Sequence, residues 1–216
     1  MPQIQTLDLN FQKLDHAIAV FLIETSEGPI LVESGPHSTF GKLSIEIKKL
    51  GYQLSDIKHV FLSHIHLDHA GAAWAMAEAG ANIYLHPFGA KNMEDPSRLM
   101  ASAKMIYKDK MDELWGEMKP ILSDQLIQIG DGEEIQVGEV TMKGLHTPGH
   151  AKHHIAWQMG EVIFTGDVAG VKIDQGPVVP PCPPPDINIE DWKNSIEILK
   201  SVKPKSLYLT HFDHIE

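Results

Sequence analysis

Cysteine is nearly absent: Cys182 is the only one in 216 residues. No intrachain disulfide can form, and nothing in cysteine usage points to an oxidising compartment. Positive charge is also scarce, with 18 Lys and Arg against 29 Asp and Glu and a formal net charge of -11. Such a surface repels a phosphate backbone, so nucleic acid is set aside as a partner. No apolar run approaches the length of a membrane span, and Met1-Pro2-Gln3-Ile4-Gln5 lacks a basic region followed by an apolar stretch. The expectation is a soluble, cytoplasmic chain with no membrane partner. A Gly-x-Ser-x-Gly elbow is missing too, and Cys182 sits in a proline-rich loop, so no protein nucleophile is visible. A chain of this length forms one substantial core, read as a single domain over residues 1–216.

Histidine, by contrast, is abundant, with 13 residues. Ser63-His64-Ile65-His66-Leu67-Asp68-His69 crowds four ligand-type side chains behind the apolar run His59-Val60-Phe61-Leu62-Ser63, which has the bias of a buried strand. A loop leaving a strand can aim these groups into one cleft, where a helix at this spacing could not. Groups so close are costly to desolvate unless something positive lies among them. An exposed histidine-rich loop is the bland alternative, but chelating spacing of this kind recurs in metal sites. Three more candidates stand at or near predicted strand ends, where clefts form: His150 in Leu145-His146-Thr147-Pro148-Gly149-His150, Asp167 in Val162-Ile163-Phe164-Thr165-Gly166-Asp167, and His211 in Ser206-Leu207-Tyr208-Leu209-Thr210-His211.

His64-x-His66-x-Asp68-His69, Thr147-Pro148-Gly149-His150, Thr165-Gly166-Asp167 and Leu209-Thr210-His211, in this order, resemble the motifs of the metallo-β-lactamase superfamily, in the branch with glyoxalase II-like and lactonase-like members. The resemblance covers most of the chain. It implies an α/β fold, a four-layer αβ/βα sandwich, with a helical insertion near residues 95–116. It also implies two divalent metal ions, zinc foremost and iron or manganese as alternatives. His64, His66 and His150 would bind one metal; Asp68, His69 and His211 the second; Asp167 would bridge them. In the family a helix commonly follows the last ligand strand, whereas this chain runs only five residues past His211. The expectation is therefore a shortened chain, or a homodimer in which a partner subunit covers that face.

Between the motifs, strands and helices alternate. Ala17 to Glu24 and Pro29 to Glu33 read as a hairpin about Ser26-Glu27-Gly28. Phe40, Leu43, Ile47 and Leu50 form a helical stripe closed by Gly51. Ala70 to Ala79 reads as one alanine-rich helix, Asn82 to His86 as a strand, and Leu126 to Gly144 as two or three short strands. His154 to Gln158 and Glu161 to Thr165 are strands about a Met159-Gly160 turn. Asn188 can cap a helix with the stripe Trp192, Ile196 and Leu199. Within Asp95 to Gly116, Leu99, Met100, Ala103, Ile106 and Tyr107 share a face, in a segment placed to lid the cleft or to pack as core. Gly176 to Pro185 holds six prolines and is either a rigid wall beside the site or a plain connector.

The expected function is a dinuclear metal-dependent hydrolase of an ester, thioester or lactone type small-molecule substrate. Two close cations lower the pKa of a shared water from about 15.7 to roughly 7, so a metal-bound hydroxide is the nucleophile. Asp68 is the expected catalytic residue, orienting that hydroxide and relaying a proton to the leaving group. His86, His146, His153 and His154 are read as supporting or structural histidines, with a substrate-facing role as the alternative. No basic residues can be assigned to hold a glutathione tail. Two other classes compete: an iron-containing redox enzyme on the same scaffold (sulfur dioxygenase-like), and a metal-binding protein without turnover.

Overall fold

The structure, a computed structural model, describes residues 2–173, 176–183 and 186–215. Its centre is a pair of six-stranded sheets. The first comprises β1 (Ile4–Asp8), β2 (Ala19–Ile23), β3 (Ile30–Val32), β4 (His59–Phe61), β5 (Asn82–Leu85) and β6 (Leu126–Gln128), hydrogen-bonded in that order. Pairing is antiparallel from β1 to β3 and parallel from β3 to β6. The second comprises β7 (Glu134–Val137), β8 (Val140–His146), β9 (Ile155–Met159), β10 (Val162–Gly166), β11 (Ser206–Leu209) and β12 (Asp213–Ile215), again in order. Only β10 and β11 pair in parallel. The helices are α1 (Phe40–Lys49), α2 (Leu67–Ala70), α3 (Ala73–Glu78), α4 (Pro87–Glu94), α5 (Ser97–Tyr107), α6 (Met111–Leu114) and α7 (Ile189–Val202).

The layering follows from strands that are apolar on both faces. On β2, Val20 and Leu22 pack with Leu43 and Ile47 of α1 and Met76 of α3, while Ala19, Phe21 and Ile23 face the other sheet. Between the sheets, Phe21, Phe61, Trp157 and Phe164 close a common core. On β10, Ile163 turns outward to join Trp192 and Leu199 of α7. The central strands such as β2 and β10 thus bury side chains alternately in two cores, which gives the expected helix–sheet–sheet–helix sandwich. Among the described residues, no helix is long and apolar enough to cross a membrane.

Three local expectations change. The helix expected over Ala70 to Ala79 is two short helices, and the first begins at Leu67, so Asp68 and His69 lie on its first turn rather than in a loop. Gly71 sits at the break because a Cβ there would fall 2.4 Å from the Leu67 carbonyl oxygen and 3.0 Å from Pro36 Cα. The buried stripe of α7 is Trp192, Ser195 and Leu199, and Ile196 is 38% exposed. The Ser195 hydroxyl donates to the Pro148 carbonyl at 2.6 Å and Trp192 Nε1 to the Val168 carbonyl at 2.8 Å, which fixes the helix rotation. In the insertion Ala103 and Met111 are core residues, whereas Ile106 is exposed. The Asn188 cap forms as expected, its side chain accepting from the amides of Glu190 and Asp191.

Candidate metal centre

All seven expected ligand residues converge at one end of the paired sheets. His64 and His66 follow β4, Asp68 and His69 start α2, His150 lies between β8 and β9, Asp167 follows β10, and His211 follows β11. Two glycines make the turns. Gly149 has φ +129° and a Cβ there would fall 2.3 Å from Trp192 Cα; Gly166 has φ +50° and a Cβ would meet Ser63 Cβ at 2.5 Å. A side chain at either would push His150 or Asp167 out of place.

The donors sort into two groups that share Asp167. In the first, His66 Nδ1 lies 2.9 Å from His64 Nε2 and 3.0 Å from His150 Nε2, and Asp167 Oδ2 lies 3.2 Å from His150 Nε2 and 4.0 Å from His64 Nε2. In the second, His211 Nε2 lies 3.3 Å from His69 Nε2 and 3.3 Å from Asp68 Oδ2, with Asp167 Oδ1 at 3.4 Å from His69 and 3.7 Å from His211. A tetrahedral zinc ion with bonds of about 2.0–2.1 Å sets its ligand atoms about 3.3–3.4 Å apart, and these separations bracket that value. Each histidine trio or histidine–aspartate cluster could hold a metal ion.

The outward nitrogens of the imidazoles reinforce this. His150 Nδ1 donates to the Pro181 carbonyl at 3.0 Å and His211 Nδ1 to the Ala17 carbonyl at 2.8 Å. His69 Nδ1 donates to Glu33 Oε1 at 3.0 Å. His64 Nδ1 donates to Ser63 Oγ at 3.0 Å, because that hydroxyl spends its own proton on Glu33. These partners assign the tautomers and leave four Nε2 lone pairs aimed inward, the arrangement metal-bound histidines adopt. Asp167 Oδ1 is buried and, among the described residues, has no hydrogen-bond partner, His69 Nε2 at 3.4 Å turning a lone pair toward it. An orphaned carboxylate oxygen facing lone pairs fits a cation.

Electrostatics divides the two groups. Burial pushes His64 well below the ordinary histidine range, helped by His69, and holds His66 down at about 4, helped by His150. Burial also works against charge on His69, but Asp167, Asp68 and Glu33 outweigh it and raise that imidazole well above its usual value. His211 is raised in the same way, burial being overcome by Asp68 and Asp167. Asp68 and Asp167 are held well below the usual carboxylate range: burial opposes this, and His69 and His211 overcome it. The same carboxylates would favour a metal cation among them, which would displace any proton from His69 and His211 and bind their Nε2 lone pairs.

Beneath the centre lies a support that sequence reasoning missed. Glu33, fully buried at the end of β3, accepts from the Ser63 hydroxyl, the Ser63 amide at 3.2 Å, His69 Nδ1 and the Thr210 hydroxyl at 3.2 Å. One carboxylate thus ties β3 to the first ligand loop and to the residue before His211. Its φ of +70° lies in the left-handed region, a conformation that costs a non-glycine residue and concentrates at functional sites. The signal in the sequence is an acid ending an otherwise apolar strand.

The other histidines hold structure. His154 accepts from the Asp167 amide at 3.1 Å through Nε2 and contacts Thr147 Oγ1 at 2.9 Å through Nδ1. His153 stands parallel to His64 with ring centres 6.0 Å apart. His86 caps α4 and stacks on His146 at 4.0 Å. None of these four lines the cavity of about 420 Å³ above the ligands. Its floor is His66, Asp68, His150, Asp167 and His211; Leu99, Ala103, Ile106 and Tyr107 of the insertion wall one side, and Pro181 and Pro183 another. The insertion is both core and cavity wall, and the proline segment is a wall; Pro184 and Pro185 lie outside the described residues.

Comparison with known proteins agrees with this geometry. The family model described as metallo-beta-lactamase superfamily matches residues 15–211. A metallo-beta-lactamase fold-containing protein of Sulfurisphaera tokodaii is 29% identical over 170 residues, 73% of this chain and 61% of that protein, so the chain spans less than two thirds of that relative's length. An N-acyl homoserine lactonase of Bacillus thuringiensis is 26% identical over 209 residues, 85% of this chain and 77% of the lactonase. Among solved structures, an archaeal metallo-beta-lactamase superfamily protein from Sulfolobus tokodaii superposes with a TM-score of 0.78 at 20% identity, covering 100% of this chain and 82% of its own. BJP-1, a subclass B3 metallo-beta-lactamase of Bradyrhizobium japonicum, gives 0.69 at 24% identity, covering 98% and 75%. With the ligand motifs gathered at one sheet end and nearly the whole length matched, the chain belongs to the metallo-beta-lactamase superfamily.

Proposed function

We propose that this chain is a dinuclear zinc hydrolase acting on a small-molecule ester, thioester or lactone. The observation that carries the reading is the inward convergence of four imidazole lone pairs around Asp167, whose Oδ1 has no other partner. His64, His66 and His150 would hold one metal, Asp68, His69 and His211 the other, with one oxygen of Asp167 toward each. When bound, the two cations supply Lewis acidity and a water that ionises near neutral pH.

Asp68 is half-buried on the cavity floor, with Oδ2 3.3 Å from His211 Nε2. It orients the attacking water, takes its proton as the oxygen bonds to the acyl carbon, and gives that proton to the oxygen or sulfur that leaves as the acyl bond breaks. The start of α2, where Asp68 lies beside the buried His69, fixes the direction of that carboxylate. The α5 wall and the proline wall keep bulk water off the reacting carbonyl. The lactonase of Bacillus thuringiensis supports a lactone among the candidate substrates.

A panel of lactones, thioesters, phosphodiesters and β-lactams, run on protein loaded with zinc, manganese or iron, tests the reading. Hydrolysis of at least one ester-like compound with zinc is the expected result. Oxygen uptake by the iron form with no hydrolysis in the panel would replace it with the redox reading.

A further inference from the structure

The walls of the cavity carry a pattern of charge that the ligand set does not require. Away from the floor, α5 presents Leu99, Ser102, Ala103, Ile106 and Tyr107, spaced as one helical face. Across from it stand Val171, Pro181 and Pro183. Among the described residues, the one charged side chain on this upper part is acidic, Asp186. No lysine or arginine lines the cavity among the described residues. The internal residues outside that set, Asp174, Gln175, Pro184 and Pro185, carry no cation either. The insertion is not short of positive charge: Lys104 and Lys108 border a separate surface groove with Met100, Asp109 and Asp112. Lys104 and Lys108 thus lie on that groove and not on the cavity, whose α5 wall is apolar and hydroxyl-bearing.

We infer that the cavity selects its substrate by charge, taking an ester-type molecule with an uncharged, apolar arm against α5 and rejecting one whose arm ends in an anion. This rests on the hydrolase reading for the reacting group, but its basis is the wall, not the floor. An apolar arm displaces water from Leu99, Ala103, Ile106 and Tyr107 and is stabilised in proportion to the area it covers. A carboxylate in the same place loses its hydration, meets no counterion and faces Asp186. The Ser102 and Tyr107 hydroxyls can donate to a neutral oxygen. Burial and the charge of Asp68 raise the tyrosine's pKa, so it stays a protonated donor.

The test uses matched pairs on the zinc-loaded full chain. The p-nitrophenyl esters of hexanoic acid and of adipic acid monoanion differ at the arm's end by a methyl against a carboxylate. The expected kcat/KM ratio is about 10² or more in favour of the neutral ester, carried mainly by KM. Ser102→Lys and Ile106→Lys each place an ammonium on the α5 face and should narrow the ratio at least tenfold, with metal content unchanged. The corresponding anilides, titrated calorimetrically, report arm selection without turnover: the neutral anilide should bind at least tenfold tighter than the anionic one. If neither ester is cleaved but the anilides keep this preference, the hydrolase reading falls and charge selection stands. If the anionic ester and anilide perform as well as the neutral ones, or if both lysine variants leave the ratio unmoved, charge selection is overturned.

Discussion

Glu33→Gln probes the part of the site that touches no substrate. The carboxylate accepts four hydrogen bonds, three through Oε1 and one, from the Ser63 amide, through Oε2. Glutamine keeps the shape but puts an NH₂ group where one oxygen was. With its oxygen in the Oε1 position, the new N–H points at the Ser63 N–H, and one bond becomes a clash of donors. The remaining three lose the negative charge that strengthens them. A bond to a buried charged group contributes about 1.5–3 kcal/mol, and an unsatisfied buried donor costs about 1–3 kcal/mol. The fold should lose roughly 2–4 kcal/mol, a fall in Tm of about 5–15 °C at this chain length. His69 loses the charged partner that orients it, so the affinity of the second metal should fall about 10–100-fold while the first is changed less. Differential scanning calorimetry and chelator competition measure the two quantities. If Tm and both affinities match the wild type, Glu33 does not position the site and the argument from its hydrogen bonds is wrong.

Asp68→Asn should lower turnover on the best ester-like substrate by about 10²–10⁴, and the loss should persist in excess zinc; restoration by zinc would make Asp68 a ligand alone. The metal-free chain should lose stability on acidification from pH 7 to pH 5, read as a lower midpoint in guanidinium. The histidines that burial depresses, among them His66 at about 4 and His153 at about 3, are neutral when folded and take up protons near 6.5 when unfolded, so their contribution is complete above 6.5 and is lost as pH falls toward 3. His69 and His211 shift upward and act in the opposite sense, but they are outnumbered by His64, His66, His150, His153 and His154. Asn188→Ala removes the cap of α7 and should cost about 1 kcal/mol, about 2–4 °C in Tm, without altering metal content.

The candidate site was legible in the sequence because its potential metal-ligating side chains stand close together along the chain. His64, His66, Asp68 and His69 fall within six positions, and His150, Asp167 and His211 each close a short segment of strand and turn. Individual strands were legible as apolar runs such as Ala17 to Ile23, and the sandwich they build followed from the resemblance that the motifs carry. What escaped depends on contacts distant in sequence. Glu33 gains its role from Ser63 and Thr210, 30 and 177 residues away. The break between α2 and α3 falls at Gly71, where Pro36 comes too close for a side chain. Ser195 replaces Ile196 on the inner face of α7 because a carbonyl at Pro148 lies within reach. Strand β1 is only partly buried and mixes polar with apolar residues, and β12 is three residues long, so neither carries a periodicity to read.

The proposed function requires a shared two-metal centre bridged by Asp167. Elemental analysis of zinc-reconstituted, folded protein tests it, with wild type beside Asp167→Ala. The expected result is two zinc ions per chain in the wild type and loss of most of at least one in the variant. Well-folded wild-type protein holding no more than a trace of metal after reconstitution would contradict it.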